Sequence, residues 1–178
     1  MRDPFREGLA AGWKHIDASQ LTVDLPIEAD VVIIGSGAGG GVTAEILAAN
    51  GLKVIIVEEG PLRTSSDFKM REAEAYPDLY QESAARKTAD KAINILQGRC
   101  VGGSTTVNWT SSFRTPPRTL QWWQSAWGLK RLGVDAMAPW FAAMEQRLHV
   151  GLWPIPPNEN NAALARGAAQ LGIPVAVI

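Results

Sequence analysis

The sequence is short of the residues that build covalent and metal frameworks. Among its 178 residues are one cysteine, Cys100, and two histidines, His15 and His149. A single cysteine excludes an internal disulfide and fits a reducing compartment. The acid pair Glu58-Glu59 has no His or Cys at ligand spacing, so no metal site is read from it. Long apolar runs are missing too. The longest, Val31 to Ile34 and Val54 to Val57, are strand-sized, far from the roughly 20 residues of a membrane helix. The start, MRDPFREGLAAGWKHIDASQ, is charged and mixed, without the apolar stretch of a signal peptide. These absences predict a cytoplasmic protein, with peripheral membrane association of a longer enzyme left open. Charge of one sign is lacking as well. With 17 basic and 18 acidic residues the net charge is -1, which gives no pull toward nucleic acid or an anionic membrane. Tyrosine (2) and phenylalanine (4) are few, yet tryptophan numbers 7, and all but Trp13 fall from Trp109 to Trp153.

What is present is a strand–turn–helix–strand pattern. Ala29 to Ile34 is a short, β-branched run bounded by glycine, as expected of a parallel strand buried on both faces. Gly35 to Gly41 is a glycine-rich turn. Val42 to Asn50 has helical character, with Gly51 placed to end it. Lys53 to Val57 is a second buried strand, closed by Glu58-Glu59-Gly60-Pro61. Strand, helix and strand within about 30 residues make a βαβ unit with a right-handed crossover, so the fold class is α/β. Residues 1–28 read as an N-terminal extension with a short helix near Phe5 to Ala11 that packs on the domain. From Arg63 to Lys91 the chain turns polar, which predicts loops and helical pieces over the surface. Further on, Met137, Trp140, Phe141, Met144 and Leu148 recur at helical spacing, with Pro139 suited to a first turn. Asn161 to Leu171 predicts a helix ended by Gly172, and Val175 to Ile178 resembles the start of a strand.

Gly35-x-Gly37-x-x-Gly40 follows a strand and opens a helix. In such a turn Gly35 permits the bend, Gly37 lets backbone approach a pyrophosphate, and Gly40 lets helix pack on strand. The helix N-terminus offers free N–H groups and partial positive charge to an anion. Glu58 stands 18 residues beyond Gly40, at the end of the second strand, where a carboxylate can accept from both ribose hydroxyls of an adenosine and disfavours a 2′-phosphate. Strand before, helix after and acid at the right distance make this a dinucleotide site. They do not decide between FAD and NAD. The second glycine–serine segment, Gly98-Arg99-Cys100-Val101-Gly102-Gly103-Ser104-Thr105-Thr106-Val107-Asn108, does. Gly102 and Gly103 allow close backbone approach, and Ser104 to Thr106 supply hydroxyls that can hold a second stretch of an extended cofactor. A simple NAD enzyme has no need of it. An NAD-binding dehydrogenase domain and a non-catalytic nucleotide-binding fragment are the alternatives.

With both motifs in this order, the chain resembles the glucose–methanol–choline (GMC) oxidoreductases, which bind FAD. Residues 29 to 116 carry the likeness, and Gly98 to Asn108 meets the family's G-[RK]-x-[LIV]-G-G-[ST]-[ST]-x-[IV]-N pattern. Val107-Asn108-Trp109 and Arg114-Thr115-Pro116 look most like the long-chain fatty alcohol oxidase branch. The resemblance implies a Rossmann-like FAD-binding βαβ core with a parallel sheet. Gly35, Gly37, Ala38, Gly39 and Gly40 would meet the pyrophosphate and Glu58 the ribose. Gly102, Gly103 and Ser104 would line the pyrophosphate and flavin side, with Asn108 close to the isoalloxazine ring. Some members tether flavin through a His just before that Asn. Val107 stands there, so non-covalent FAD is expected. Where many members carry an aromatic, this chain has Ser112, with Phe113 next.

The resemblance also implies an activity: oxidation of an alcohol CH–OH by hydride transfer to flavin N5, with the electron acceptor left open. The family's catalytic base is a His near the end of a much longer chain. Neither His15 nor His149 matches its position, so no catalytic residue is assigned. The arrangement expected is an extension over 1–28, FAD-binding core motifs over 29–116, and a Trp-rich helical and loop segment over 117–178 leading toward a substrate domain. Relative to the family the chain reads as incomplete, a truncated frame, a fragment or a split subunit, and inactive alone. Three further features have bland readings. Cys100 beside Arg99 reads as a small buried residue rather than a reactive thiol. Asn108-Trp109-Thr110 matches a glycosylation sequon but should face the cofactor. The tryptophans read as packing rather than as a channel for an apolar alcohol.

Overall fold

The computed structural model describes residues 2–175. The chain divides into two units, Met1–Trp109 and Thr110–Ile178. In the first unit, helix α1 (Pro4–Ala10) begins with proline after Asp3, whose carboxylate caps it by accepting from the Arg6 N–H. Trp13 then folds back on the helix, with its ring edge-on to Phe5 at 6.0 Å between centroids. Polar contacts tie the extension to the domain. Asp3, only 8% exposed, also accepts from the hydroxyls of Thr64 and Ser66, both at 2.6 Å. Arg6 donates to Asp67 at 2.6 Å. These hydrogen bonds, those from Ser66 and Thr64 foremost, hold the Asp3 carboxyl well below the usual carboxylate range.

The core of this unit is a parallel pair, β1 (Val31–Ile34) and β2 (Val54–Val57), in register from Val31 opposite Val54 to Ile34 opposite Val57. Helix α2 (Ala38–Ala49) makes the crossover. It ends where glycine was expected to end it. The Gly51 N–H donates to Ala48 O at 2.9 Å and the Leu52 N–H to Leu47 O at 3.2 Å, which satisfies carbonyls the helix itself leaves open. The α/β fold and its βαβ core are therefore as the sequence predicts. Burial is not. Ile33 faces α2, where a Cβ added at Gly40 would lie 3.3 Å from its Cγ2, but Val32 and Ile34 on the other side of β1 are 59% and 90% exposed. The expectation of a strand buried on both faces fails because, among the described residues, one helix and one neighbouring strand supply all the cover.

Beyond β2, helix α3 (Glu72–Leu79) and a 3₁₀ turn at Gln81–Ala84 fill the polar stretch. They matter for the site because they steer the second glycine segment. Tyr80 pairs with Gly98 in an antiparallel bridge. The Arg99 N–H donates to Leu79 O at 2.7 Å and the Val101 N–H to Pro61 O at 3.0 Å. Leu79 and Cys100 are buried here, Cys100 fully.

The second unit holds helices α4 (Pro117–Trp127), α5 (Val134–Arg147) and α6 (Glu159–Gln170). Leu120 on α4 is 2% exposed and anchors the small core. Arg114 grips Glu145 through two N–H donors, each at 2.6 Å. Helix α5 begins at Val134 behind Gly133, so Pro139 is interior rather than first-turn as the sequence suggested. The apolar spacing simply extends further back than proline's preference implied. Helix α6 starts two residues earlier than Asn161, because the Asn158 side chain caps it by accepting from the Asn161 N–H at 2.9 Å. The strand expected from Val175 falls, past that residue, outside the described residues.

Candidate dinucleotide site

The turn after β1 is built by glycines with different tasks. Gly35 sits at φ 91°, a left-handed conformation that side chains resist, and its N–H still bonds to Val57 O at 2.8 Å. The strand pairing thus holds to the moment the chain bends. At Gly40 an added Cβ would overlap the Gly35 carbonyl oxygen, so this glycine serves the helix–strand contact. At Gly37 and Gly39 an added Cβ would meet nothing within 4 Å. No protein neighbour requires glycine there, and a side chain at either position would enter open space.

That space faces an uncapped helix end. Gly37 is the N-cap of α2 and makes no side-chain capping bond, and the Gly41 N–H is the one that reaches back to Gly37 O, at 2.8 Å. The N–H groups of the first turn, with the positive end of the helix dipole, suit an anion approached through backbone alone.

The acid pair after β2 divides its duties. Glu59 turns to Arg99, 3.3 Å away, and to Gln81. Glu58, half-buried, turns to the glycine loop. Its Oε2 accepts from the Ser36 N–H at 2.9 Å and from the Ser36 hydroxyl at 2.6 Å, and its Oε1 accepts from the Gly60 N–H at 3.0 Å. Burial pushes the carboxyl upward, but the hydrogen bonds from Ser36 and Gly60 outweigh it and hold Glu58 below its ordinary value. Glu58 is thus an ionised acceptor, with Oε1 carrying one bond and room for more.

The second segment lies directly on this turn. The Gly102 N–H donates to Ser36 Oγ at 2.9 Å. A Cβ at Gly103 would come within 3.1 Å of Gly37 Cα. Gly103–Thr105 forms a single 3₁₀ turn, and Ser104 is held in it by accepting from the Gly98 N–H at 3.0 Å. Asn108 folds back on the same loop, donating to Thr105 O at 2.6 Å. The structure therefore brings Gly35, Gly37, Glu58, Gly102 and Gly103 together, with Ala38, Gly39 and Gly40 in the adjoining helical turn and Ser104 in the loop beside them. Asn108 stands at the loop's far end, exposed.

Two residues of the junction escape a motif reading. Ser36 occupies a variable position of the glycine pattern, and Gly60 lies outside it, yet a Cβ at Gly60 would overlap the backbone of Arg99 and Cys100. The available signal is a hydroxyl between two glycines with an acid at the next strand end. Cys100 is a small buried residue, as expected; burial pushes its thiol up. His15 is exposed in the extension before the 3₁₀ turn at Ala18–Gln20, and His149 is exposed after α5 in the second unit. Among the described residues no group of three or more His, Cys, Asp or Glu could hold a metal, and no helix is long and apolar enough to cross a membrane.

A βαβ unit with an open helix N-terminus, an ionised acid at the second strand end and a second glycine loop locked to the first defines a dinucleotide-binding domain of the FAD type. Residues 30–70 match the FAD binding domain family, and residues 76–178 match the GMC oxidoreductase N-terminal family. The chain belongs to the GMC oxidoreductases, a family that uses FAD. It is 34% identical over 151 residues to a long-chain-alcohol oxidase of Arabidopsis thaliana, covering 85% of this chain and 21% of that protein. It is 33% identical to an uncharacterized GMC-type oxidoreductase of Mycobacterium tuberculosis, covering 96% of this chain and 29% of the other. A solved structure, pyridoxine 4-oxidase from Mesorbium loti, aligns with TM-score 0.47 at 28% identity, over 63% of this chain and 23% of that one. The chain spans about a fifth of the length of the plant relatives.

Proposed function

We propose that this chain is the FAD-binding portion of an enzyme that oxidises the CH–OH group of an alcohol, with a long-chain alcohol as substrate. The carrying observation is the junction of Ser36, Glu58, Gly102 and Gly103. An isolated glycine turn would serve NAD equally well, whereas a second glycine loop seated beside Gly37 extends the cradle along a longer cofactor. In this reading Gly35, Gly37, Ala38, Gly39 and Gly40 receive the pyrophosphate through backbone N–H groups, and Glu58 receives the adenosine ribose at Oε1. Gly102, Gly103 and Ser104 line the pyrophosphate and flavin side, and Asn108 serves the flavin ring. The residues fit such a group, since open glycines, an uncapped helix end and an ionised carboxylate are what a ribose and a pyrophosphate require. FAD, when bound, supplies the two-electron acceptor that alcohol oxidation needs.

The long-chain alcohol rests on the plant relatives' names and on the run from Val107 to Trp109. Val107 offers no nucleophile, so FAD is held non-covalently. Neither His15 nor His149 is assigned as the base that takes the alcohol proton, and these residues alone bind FAD without oxidising alcohol. The extent of the FAD-binding core, 29–116, belongs to the same proposal.

The test is a fluorescence titration of the purified chain with FAD and with NAD, followed by acid precipitation and an assay with long-chain alcohol. Uptake of FAD, release of all flavin into the acid supernatant and no turnover are expected. Tight NAD binding without flavin uptake would overturn the reading in favour of an NAD dehydrogenase domain.

A further inference from the structure

The residue that joins the two cofactor loops is Ser36. Its hydroxyl has one proton to give and lone pairs to receive, and it acts in both roles inside the protein. It donates to Glu58 Oε2 at 2.6 Å and accepts from the Gly102 N–H at 2.9 Å. Gly102 lies 66 residues away in sequence and has φ 92°, a conformation that directs its neighbours but supplies no side chain to hold them. Gly103, next along, rests against Gly37 by backbone alone. Two glycines in succession have high freedom to lose on ordering, so this stretch needs an external fastening. Val101 N–H to Pro61 O, at 3.0 Å, fastens its start. Toward the glycine turn, the side-chain fastening is Ser36.

The direction of the bonds matters. An ionised Glu58 orients the Ser36 proton toward itself, which turns the oxygen's lone pairs to Gly102. The acid meant for the ribose therefore also polarises the group that holds the second loop. The geometry points to Ser36 as a positioning residue for FAD: by bridging Glu58 to the Gly102 N–H, it sets the second glycine loop at the distance from the first that the cofactor requires. This rests on the FAD reading above, but the bridge itself exists in the protein without cofactor and is testable there.

The experiment compares the chain with Ser36→Ala and Ser36→Thr. Amide exchange at Gly102 is measured first without FAD, then FAD affinity is measured by titration. In Ser36→Ala the Gly102 amide should exchange faster, and FAD should bind roughly ten-fold more weakly, the scale of one lost charge-linked hydrogen bond. Ser36→Thr, which keeps the hydroxyl, should restore both. Ser36→Cys, similar in shape with a weaker donor and acceptor, takes the place of Ser36→Ala if that variant does not fold. Unchanged Gly102 exchange would overturn the proposal even if FAD affinity fell, because the hydroxyl would then be acting on FAD directly. Faster exchange with unaltered FAD affinity would overturn it too. A wild-type chain that takes up no FAD would count against the FAD reading, while exchange at Gly102 would still decide whether Ser36 holds the loop.

Discussion

Replacing Gly37 and Gly40 by alanine, one at a time, should separate cofactor binding from folding. Gly37 has φ −63° and ψ −171°, which alanine adopts without strain, and its added methyl would meet no protein atom within 4 Å. Gly37→Ala should therefore change stability by less than about 1 kcal/mol, the reduced freedom of the unfolded chain offsetting alanine's lower preference at a helix N-cap. The same methyl stands in the open space before the α2 N-terminus, so FAD affinity should fall at least roughly ten-fold, or about 1.4 kcal/mol. At Gly40 the methyl would overlap the Gly35 carbonyl oxygen. Both parties there are backbone, so α2 must move off β1. Overpacking of this kind costs roughly 1–3 kcal/mol, and the upper end applies because no side chain can swing aside. Urea denaturation followed by circular dichroism gives the stability difference, and FAD titration of the folded variants gives the affinity. A Gly37→Ala variant that unfolds as easily as Gly40→Ala, or that binds FAD as the wild type does, would refute this separation.

Two further outcomes follow from the titratable groups. Glu58 is held below its ordinary pKa, so its bonds stabilise the fold above the unfolded carboxylate value, about 4.3, and that contribution is lost as pH falls through the lower folded value. Glu58→Gln should thus cost about 1 kcal/mol at pH 7, allowing for solvent screening of a half-buried group, and the gap in urea midpoint should narrow as pH falls below the unfolded carboxylate value; a gap that does not change with pH would contradict this. Cys100 is fully buried with its thiol pushed up, so a thiol reagent at pH 7.5 should label it only at the rate of unfolding, and rapid labelling of the folded chain would show that the second loop opens locally.

The fold was legible where short-range chemistry decides it. Two β-branched runs, a glycine turn and a glycine helix stop are local features; β1, β2 and the end of α2 fall where those features put them, while α2 starts at Ala38, inside the stretch read as turn, rather than at Val42. The interior place of Pro139 was not legible, because α5 opens at Val134 behind Gly133 with no side-chain cap, which leaves proline as the conspicuous start signal in the sequence. The bare face of Val32 and Ile34 was not legible either. An apolar run reports that a strand can be buried on both sides, not what else is present to bury it.

The site shows the same division more sharply. A glycine pattern states that side chains are unwelcome but not why, and here the reasons differ from residue to residue. Gly40 and Gly60 are glycine because other backbone occupies the place of a side chain, whereas a side chain at Gly37 or Gly39 would meet nothing within 4 Å. Sequence spacing cannot separate the two kinds, since the neighbours at issue are set by topology. What carries Gly102 to Ser36 is a relay of backbone bonds: Tyr80 to Gly98, Arg99 to Leu79 and Val101 to Pro61. Each is weak evidence when read from sequence, and each fixes the position of the next residue once formed. The relay delivers a loop of almost no side-chain mass to a serine that a motif would write as x. A glycine loop that must be both mobile enough to form and fixed enough to bind needs its fastening to come from elsewhere in the chain, so the residue that completes the site is one that the site's own motifs leave unspecified.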